Sequence, residues 1–274
     1  MRPSLHFGMC GDDVGATIRF FQDVQIHDLV CDVNQIPGRK EKGILTEDDL
    51  HAFVQPFADT AITLAVVTVG WMARDAEGRA MEAQLETITH DITMLGNAGV
   101  PVAQLFELGV IPEGVEITKY RRNVYETYQH LVAACAEAGV QLAIHAGWQP
   151  EHVLWNTASY LDLFEAVPDS HNGVCFCAGS VYQSGDDVVE AIHRLAGRIH
   201  FVHFRDAMEL GGECPEMLLG NGKVPFATIV WALQEVGYEG IIHCEHFGRF
   251  ESESSGAVAT AWGAGFMRGI FQTR

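Results

Sequence analysis

The sequence predicts a (β/α)8 TIM barrel, and three observations point to that fold class. Across 274 residues, short apolar runs rich in β-branched residues recur eight times, each followed by a segment whose apolar residues are spaced by three and four. Strands that alternate with helices in this way pair in parallel, because each crossover helix brings the chain back to the same end of the sheet. Eight such units with no ninth is the number that closes a barrel. An open sheet that binds a dinucleotide would need a Gly-x-Gly-x-x-Gly turn after its first strand, and Gly8, Gly11 and Gly15 do not have that spacing.

In order, the first run is Ser4–Met9 and the second His27–Val33. Thr46-Glu47-Asp48-Asp49 follows, a capping-box-like helix start with acid in its first turn. After the third run, Thr63–Trp71, the residues Met81, Leu85, Ile88, Ile92 and Leu95 form one apolar stripe of a helix. Val100–Phe106, Val140–His145, Gly173–Cys177 and Ile199–Arg205 are the next four runs. A second stripe, Phe226, Ile229, Val230, Leu233 and Val236, precedes the eighth run, Gly240–His246.

The charge balance narrows the function. With 17 Lys+Arg against 36 Asp+Glu the chain carries a formal charge of −19, which argues against a nucleic-acid partner. Its only basic clusters are Arg39-Lys40 with Lys42, and Lys119 with Arg121-Arg122. There is no uncharged apolar run of membrane-spanning length, the start MRPSLHFGMC lacks the apolar stretch of a signal peptide, and no Pro/Gly/Ser-rich linker divides the chain. These features predict a soluble cytoplasmic protein with no membrane partner and one catalytic domain over residues 1–274. Its seven cysteines, an odd number without a Cys-x-x-Cys pair, are expected to be reduced thiols.

In a barrel the active site forms at the carboxyl ends of the strands, so the residues that end each run matter most. Strand five ends in His145, strand six in Cys175-Phe176-Cys177, strand seven in His203-Phe204-Arg205-Asp206 and strand eight in Cys244-Glu245-His246. Imidazole, thiolate, imidazole and carboxylate at one mouth suit a borderline divalent cation such as Mn²⁺, Fe²⁺, Co²⁺ or Zn²⁺. Cys175 and Cys177 share a face, so periodicity leaves either as the ligand. His243, on the face of Glu245, reads as structural.

These residues carry a resemblance. Gly11-Asp12-Asp13-Val14, Ile36-Pro37-x-Arg39, Ala143-Ile144-His145, the segment Asn172-Gly173-Val174-Cys175-Phe176-Cys177-Ala178-Gly179-Ser180, His203-Phe204-Arg205-Asp206, Gly237-Tyr238-x-Gly240 and Glu245-His246 together resemble the mannonate dehydratase family, sugar-acid lyases on a xylose-isomerase-like barrel. The resemblance implies His145, Cys177, His203 and Glu245 as metal ligands, with Mn²⁺ the expected ion, and His246 as the acid/base. It places Cys177 rather than Cys175 at the family's metal-binding cysteine.

The departures bear on the substrate. The family's Arg-Trp on strand one is His6-Phe7 here, its metal-binding Asp is Glu245, the Asp-Asp after Ala-Ile-His is Gly147-Trp148, and Gly256-Ala257 stands where a Gly-Tyr would supply a second catalytic group. The implied reaction removes the C2 proton of an aldonate and expels the C3 hydroxyl, giving a 2-keto-3-deoxy acid. Arg205 is the expected carboxylate clamp and a catalytic residue beside His246; its alternative role is an ion pair with Asp206 or Glu245. His6, Lys223 and Arg249 are the further residues expected to bind substrate. If loss of the hydroxyl is not assisted, the same proton chemistry describes a sugar isomerase or epimerase, with Glu107 as a second base if it is not a solvated loop acid. A non-catalytic sugar-acid-binding relative is the third reading. Glu251–Glu253 is expected to be a solvated loop that orders over the mouth with substrate, and pairing into a homo-oligomer is left open.

Overall fold

Eight parallel strands close into one barrel, in the order β1 (Arg2–His6), β3 (Asp28–Asp32), β4 (Thr63–Trp71), β5 (Val102–Glu107), β6 (Gln141–Ala146), β7 (Asn172–Cys177), β8 (Ile199–Phe204) and β9 (Ile241–Cys244), with β9 returning to β1. The computed structural model describes residues 1–208, 217–247 and 255–272, and of Cys10, Asp12 and Ser255 only the backbone. Arg249 and Glu251–Glu253, on which two of the expectations fall, lie outside the described residues. The helices are α1 (Val14–Val24), α2 (Arg39–Lys42), α3 (Glu47–Val54), α4 (Glu82–Asn97), α5 (Ile117–Ala138), α6 (Thr157–Ala166), α7 (Ala178–Ser184), α8 (Val188–Leu195), α9 (Phe226–Glu235) and α10 (Ser255–Phe271). No described helix is long and apolar enough to cross a membrane.

The expected runs find their strands, with two corrections. Ser4–Met9 is not one strand: β1 ends at His6, the chain turns through Gly8 at φ 91°, and a short strand, β2 (Met9–Asp12), lies outside the barrel. A backbone in the left-handed region is open to glycine at little cost, and it breaks the pleat there. Met81, expected on the buried stripe of α4, is instead its N-cap residue and is exposed, while Ile88, Ile92 and Leu95 are buried as the stripe requires. The capping box holds: Thr46 Oγ1 accepts from Asp49 N, and the Asp49 side chain accepts from Thr46 N, satisfying two donors that a helix start leaves open.

Alternation along the strands separates two cores. Val30, Val66, Val102, Ala143, Cys175, Phe201 and Ile241 belong to a small buried cluster at the centre of the barrel. A larger cluster, including Leu29, Val67, Leu105, Ile144, Phe176, Val202 and Ile242, packs against the helices. One position in two on each strand therefore faces the barrel axis. Above the inner apolar layer the same face carries Gln104, His145, Cys177, His203 and His243. The inner core is thus an apolar floor beneath a polar mouth.

Candidate metal centre

The strand register brings the donors together. Cys177 on β7 lies opposite His203 on β8, His203 lies opposite His243 on β9, and Glu245 follows one residue after β9 ends, on the inward face two places above His243. On β6, Ile144 pairs with Val174, so His145 is nominally level with Cys175. The stagger of strands in a closed barrel nevertheless brings Cys177 to the mouth and leaves Cys175 in the floor. Of the two cysteines that periodicity left open, Cys177 is the one that stands with the other donor side chains.

One ligand-type atom from each of His145, Cys177, His203 and Glu245 lies within 4.8 Å of the others. Glu245 Oε1 is 3.0 Å from His203 Nδ1, 3.6 Å from Cys177 Sγ and 3.9 Å from His145 Nε2. Four donors with bonds of about 2.0–2.3 Å to one tetrahedral ion would stand roughly 3.3–3.8 Å apart, so these separations bracket what a cation needs. His203 supplies a second test of fit. Both its ring nitrogens are buried without an aligned hydrogen bond, even where Nδ1 approaches Glu245. Such groups cost about 1–3 kcal/mol each when left unpaired, and a cation bound at one of the two nitrogens would remove that cost there. His145 Nδ1 lies 2.9 Å from the carbonyl of Ala146, which fixes the proton on Nδ1 and leaves Nε2 as a donor toward the cluster.

The cluster's electrostatics follow from burial and close opposite charges. Burial alone would raise the Glu245 carboxyl, but His203, His145 and His246 hold it well below the usual carboxylate range. Burial likewise disfavours charge on His145, yet Cys177 and Glu245 push it up to about 10, whereas in His203 burial wins and the pKa is lowered. Of the two histidines, His145 is thus the one that holds a proton, opposite the Glu245 carboxylate. His243 lies beneath, its ring centre 5.7 Å from that of His203, and burial with the neighbouring His203 and His6 pushes it down to about 3. A neutral histidine whose Nδ1 lies 3.4 Å from the carbonyl of Ser4 fits the structural reading made of it.

The other candidate residues occupy different places. His246 is exposed at the rim, its Nε2 3.5 Å from Glu245 Oε2, and it has φ 54°, unusual for a residue with a Cβ. Such a backbone persists only when its surroundings impose it, and the bonds Glu245 N to Phe204 O and Met217 N to His246 O do so on both sides. Arg205 is buried, with its guanidinium carbon 5.5 Å from the Trp148 ring centre. Its expected ion pair with Asp206 or Glu245 does not form. Asp206 accepts from the amides of Ala207, Gly220, Gly222 and Val224, while Glu245 faces the histidines. His6 sits at the inner wall, its ring 6.0 Å from His243, with its pKa lowered chiefly by burial. Lys223 is exposed on the loop before α9, tied by its backbone N to Ala207 O.

Glu107 is neither a solvated loop acid nor a base at the mouth. It is the last residue of β5 on the outer face, fully buried, paired with Arg74 Nε at 3.0 Å and accepting from Tyr128 OH at 2.9 Å. Its inward neighbour Phe106 stacks near His145, with ring centres 4.9 Å apart. The residue that sequence reasoning did not single out for a role is Trp148. It stands in the loop after β6, where no strand periodicity speaks for it.

Comparison with known proteins places the chain in a family. The mannonate dehydratase of Enterococcus faecalis is 26% identical over 183 residues, 62% of this chain and 51% of that protein. The chain therefore spans about half the length of that curated relative. The crystal structure of mannonate dehydratase from Streptococcus suis superposes with a TM-score of 0.82 at 15% identity, covering 99% of this chain and 93% of that one. That of the IOLI protein with a bound zinc atom gives 0.78 at 13% identity, covering 99% and 98%. At such identities the structural likeness establishes the fold. The sequence profile of the xylose isomerase-like TIM barrel matches residues 34–269, and the chain belongs to that family.

Proposed function

We propose that this protein is a divalent-metal-dependent hydro-lyase of the mannonate dehydratase kind, acting on an aldonate and yielding a 2-keto-3-deoxy acid, with Mn²⁺ the expected cation and Fe²⁺, Co²⁺ and Zn²⁺ the alternatives. One observation carries the reading: a buried four-donor cluster, an exposed imidazole 3.5 Å from its carboxylate, and a buried guanidinium without an acidic partner among the described residues share one barrel mouth. His145, Cys177, His203 and Glu245 would hold the cation, which when bound supplies positive charge where the substrate's carboxylate and enol oxygens gather electron density.

The remaining steps fall to the chain's own side chains. Arg205 receives the carboxylate and orients C2. His246, as neutral imidazole, takes the C2 proton; as imidazolium it returns a proton to the departing C3 hydroxyl, so that water leaves and an enol remains. The enol becomes the ketone by taking a solvent proton at C3. An epimerase would need a second base on the opposite face of the carbon, and the outward placement of Glu107 removes the residue expected in that role.

The test is incubation of the Mn²⁺-equilibrated protein with a panel of aldonates and ketoses in D₂O. A 2-keto-3-deoxy product with one deuterium at C3 is expected, and His246→Asn should lower kcat by about 10²–10⁴-fold with metal content unchanged. Deuterium in a ketose or an epimer without loss of water overturns the lyase reading.

A further inference from the structure

We infer that Trp148 is the positioning residue that makes Arg205 a carboxylate receptor, so that this mouth selects an anionic sugar over a neutral one of the same shape; this rests on the sugar-acid reading above. Arg205 is 8% exposed and its Nε is buried without a hydrogen bond. A guanidinium remains charged in any protein, and one that is largely buried is costly unless an anion meets it. Asp206 and Glu245, the two acids expected to pair with it, are engaged elsewhere: Asp206 by four backbone amides, Glu245 by histidines. Among the described residues no carboxylate meets it, and an anion from outside the chain is the partner that the site would take.

Two rigid surfaces frame the group that would receive it. The guanidinium carbon lies 5.5 Å from the centre of the Trp148 ring, within cation–π range. Its stem lies against the first turn of α7, where a Cβ on Gly179 would stand 2.8 Å from the Arg205 carbonyl oxygen and 3.1 Å from Cγ; only a glycine leaves that room. Trp148 in turn is backed by His152, with ring centres 6.0 Å apart and planes 32° from parallel. His152 is fixed by its N–H to Gln149 O at 3.0 Å and by a bridge to Val110. A guanidinium held by its face keeps its N–H edge for a planar, two-pronged acceptor.

The indole nitrogen of Trp148 makes no hydrogen bond. What Trp148 offers Arg205 is its ring face, which phenylalanine retains, so phenylalanine should replace it in this role. This separates a positioning role from a hydrogen-bonding one and from simple filling of space.

Calorimetric titration of the Mn²⁺-equilibrated protein with D-mannonate and D-gluconate, and with the neutral alditols D-mannitol and D-glucitol, tests the inference. In the wild type the aldonates should bind more tightly. Trp148→Ala should weaken the aldonates about tenfold, within the range of a cation–π contact, and leave the alditols unchanged, while Trp148→Phe keeps the preference. If Trp148→Ala does not fold, Trp148→Leu, which fills the space without a π face, takes its place. Equal losses for aldonates and alditols, no loss at all, or a tenfold loss in Trp148→Phe each overturn it. A wild type without preference for aldonates sinks the sugar-acid reading itself, whereas a wild-type preference that survives loss of the ring sinks only the role of Trp148.

Discussion

His145 and His203 are chemically identical and face one another across the same mouth, with ring centres 5.2 Å apart, yet their surroundings move them in opposite directions. Both are buried; what differs is that Cys177 and Glu245 together outweigh burial at His145. A folded-state pKa raised from 6.5 to about 10 stabilises the metal-free fold fully below pH 6.5, and that contribution is lost as pH rises through 10. A cation occupying the cluster must displace this proton, because a ligating imidazole nitrogen is unprotonated. The apparent affinity of the chelator-treated protein for Mn²⁺ should therefore rise with pH between 6 and 8, by up to about tenfold per unit for each proton that the ligands give up. Titration calorimetry in buffers of different ionisation enthalpy reads both affinity and proton count. An affinity independent of pH, with no proton released, would show that His145 is not displaced and is no ligand.

At the scale of the elements, the fold and the donors were legible for one reason: strand ends in a barrel converge, so four consecutive polar endings at His145, Cys177, His203 and Glu245 could be placed at one mouth from the sequence. What was not legible depends on one-residue differences in where a strand stops. The fourth run was expected to end at Phe106, but β5 continues to Glu107, and the alternation that turns Phe106 toward His145 turns Glu107 toward α5. Trp148 escaped because its partners, Arg205 and His152, meet it across loops that have no period. Outward Glu107 and Arg74 also have a structural consequence. Arg74 Nε donates to Glu107 and Nη1 to the carbonyl of Gly78, so the buried pair ties the connection after β4 to the end of β5. Glu107→Gln would leave the Arg74 guanidinium without its charge partner, at a cost of about 3–5 kcal/mol. Thermal unfolding should record this as a fall in Tm of roughly 10 °C, with metal content unchanged. A shift of only a degree or two would mean that the pair contributes little to the fold, and loss of metal would mean that Glu107 communicates with the mouth.

For the molecule as a whole, the formal charge of −19 acts against the substrate proposed for it. An aldonate approaching from beyond about 10 Å senses the summed field of the surface carboxylates before it senses Arg205 at the mouth, and long-range repulsion of this kind slows encounter. Within the mouth the balance reverses, because Arg205 is buried among low-dielectric walls that salt screens poorly. Ionic strength should therefore separate the two regimes. Raising salt from about 10 mM to 150 mM shortens the Debye length from roughly 30 Å to 8 Å, so kcat/KM for an aldonate should rise several-fold while kcat stays constant. Cationic clefts that steer anions behave in the opposite way, losing on-rate as salt is added. Stopped-flow or initial-rate measurements over a salt series decide between them. A fall in kcat/KM with salt would mean that the field at the mouth is positive far into solvent, and that the acidic surface is arranged away from the path the substrate takes.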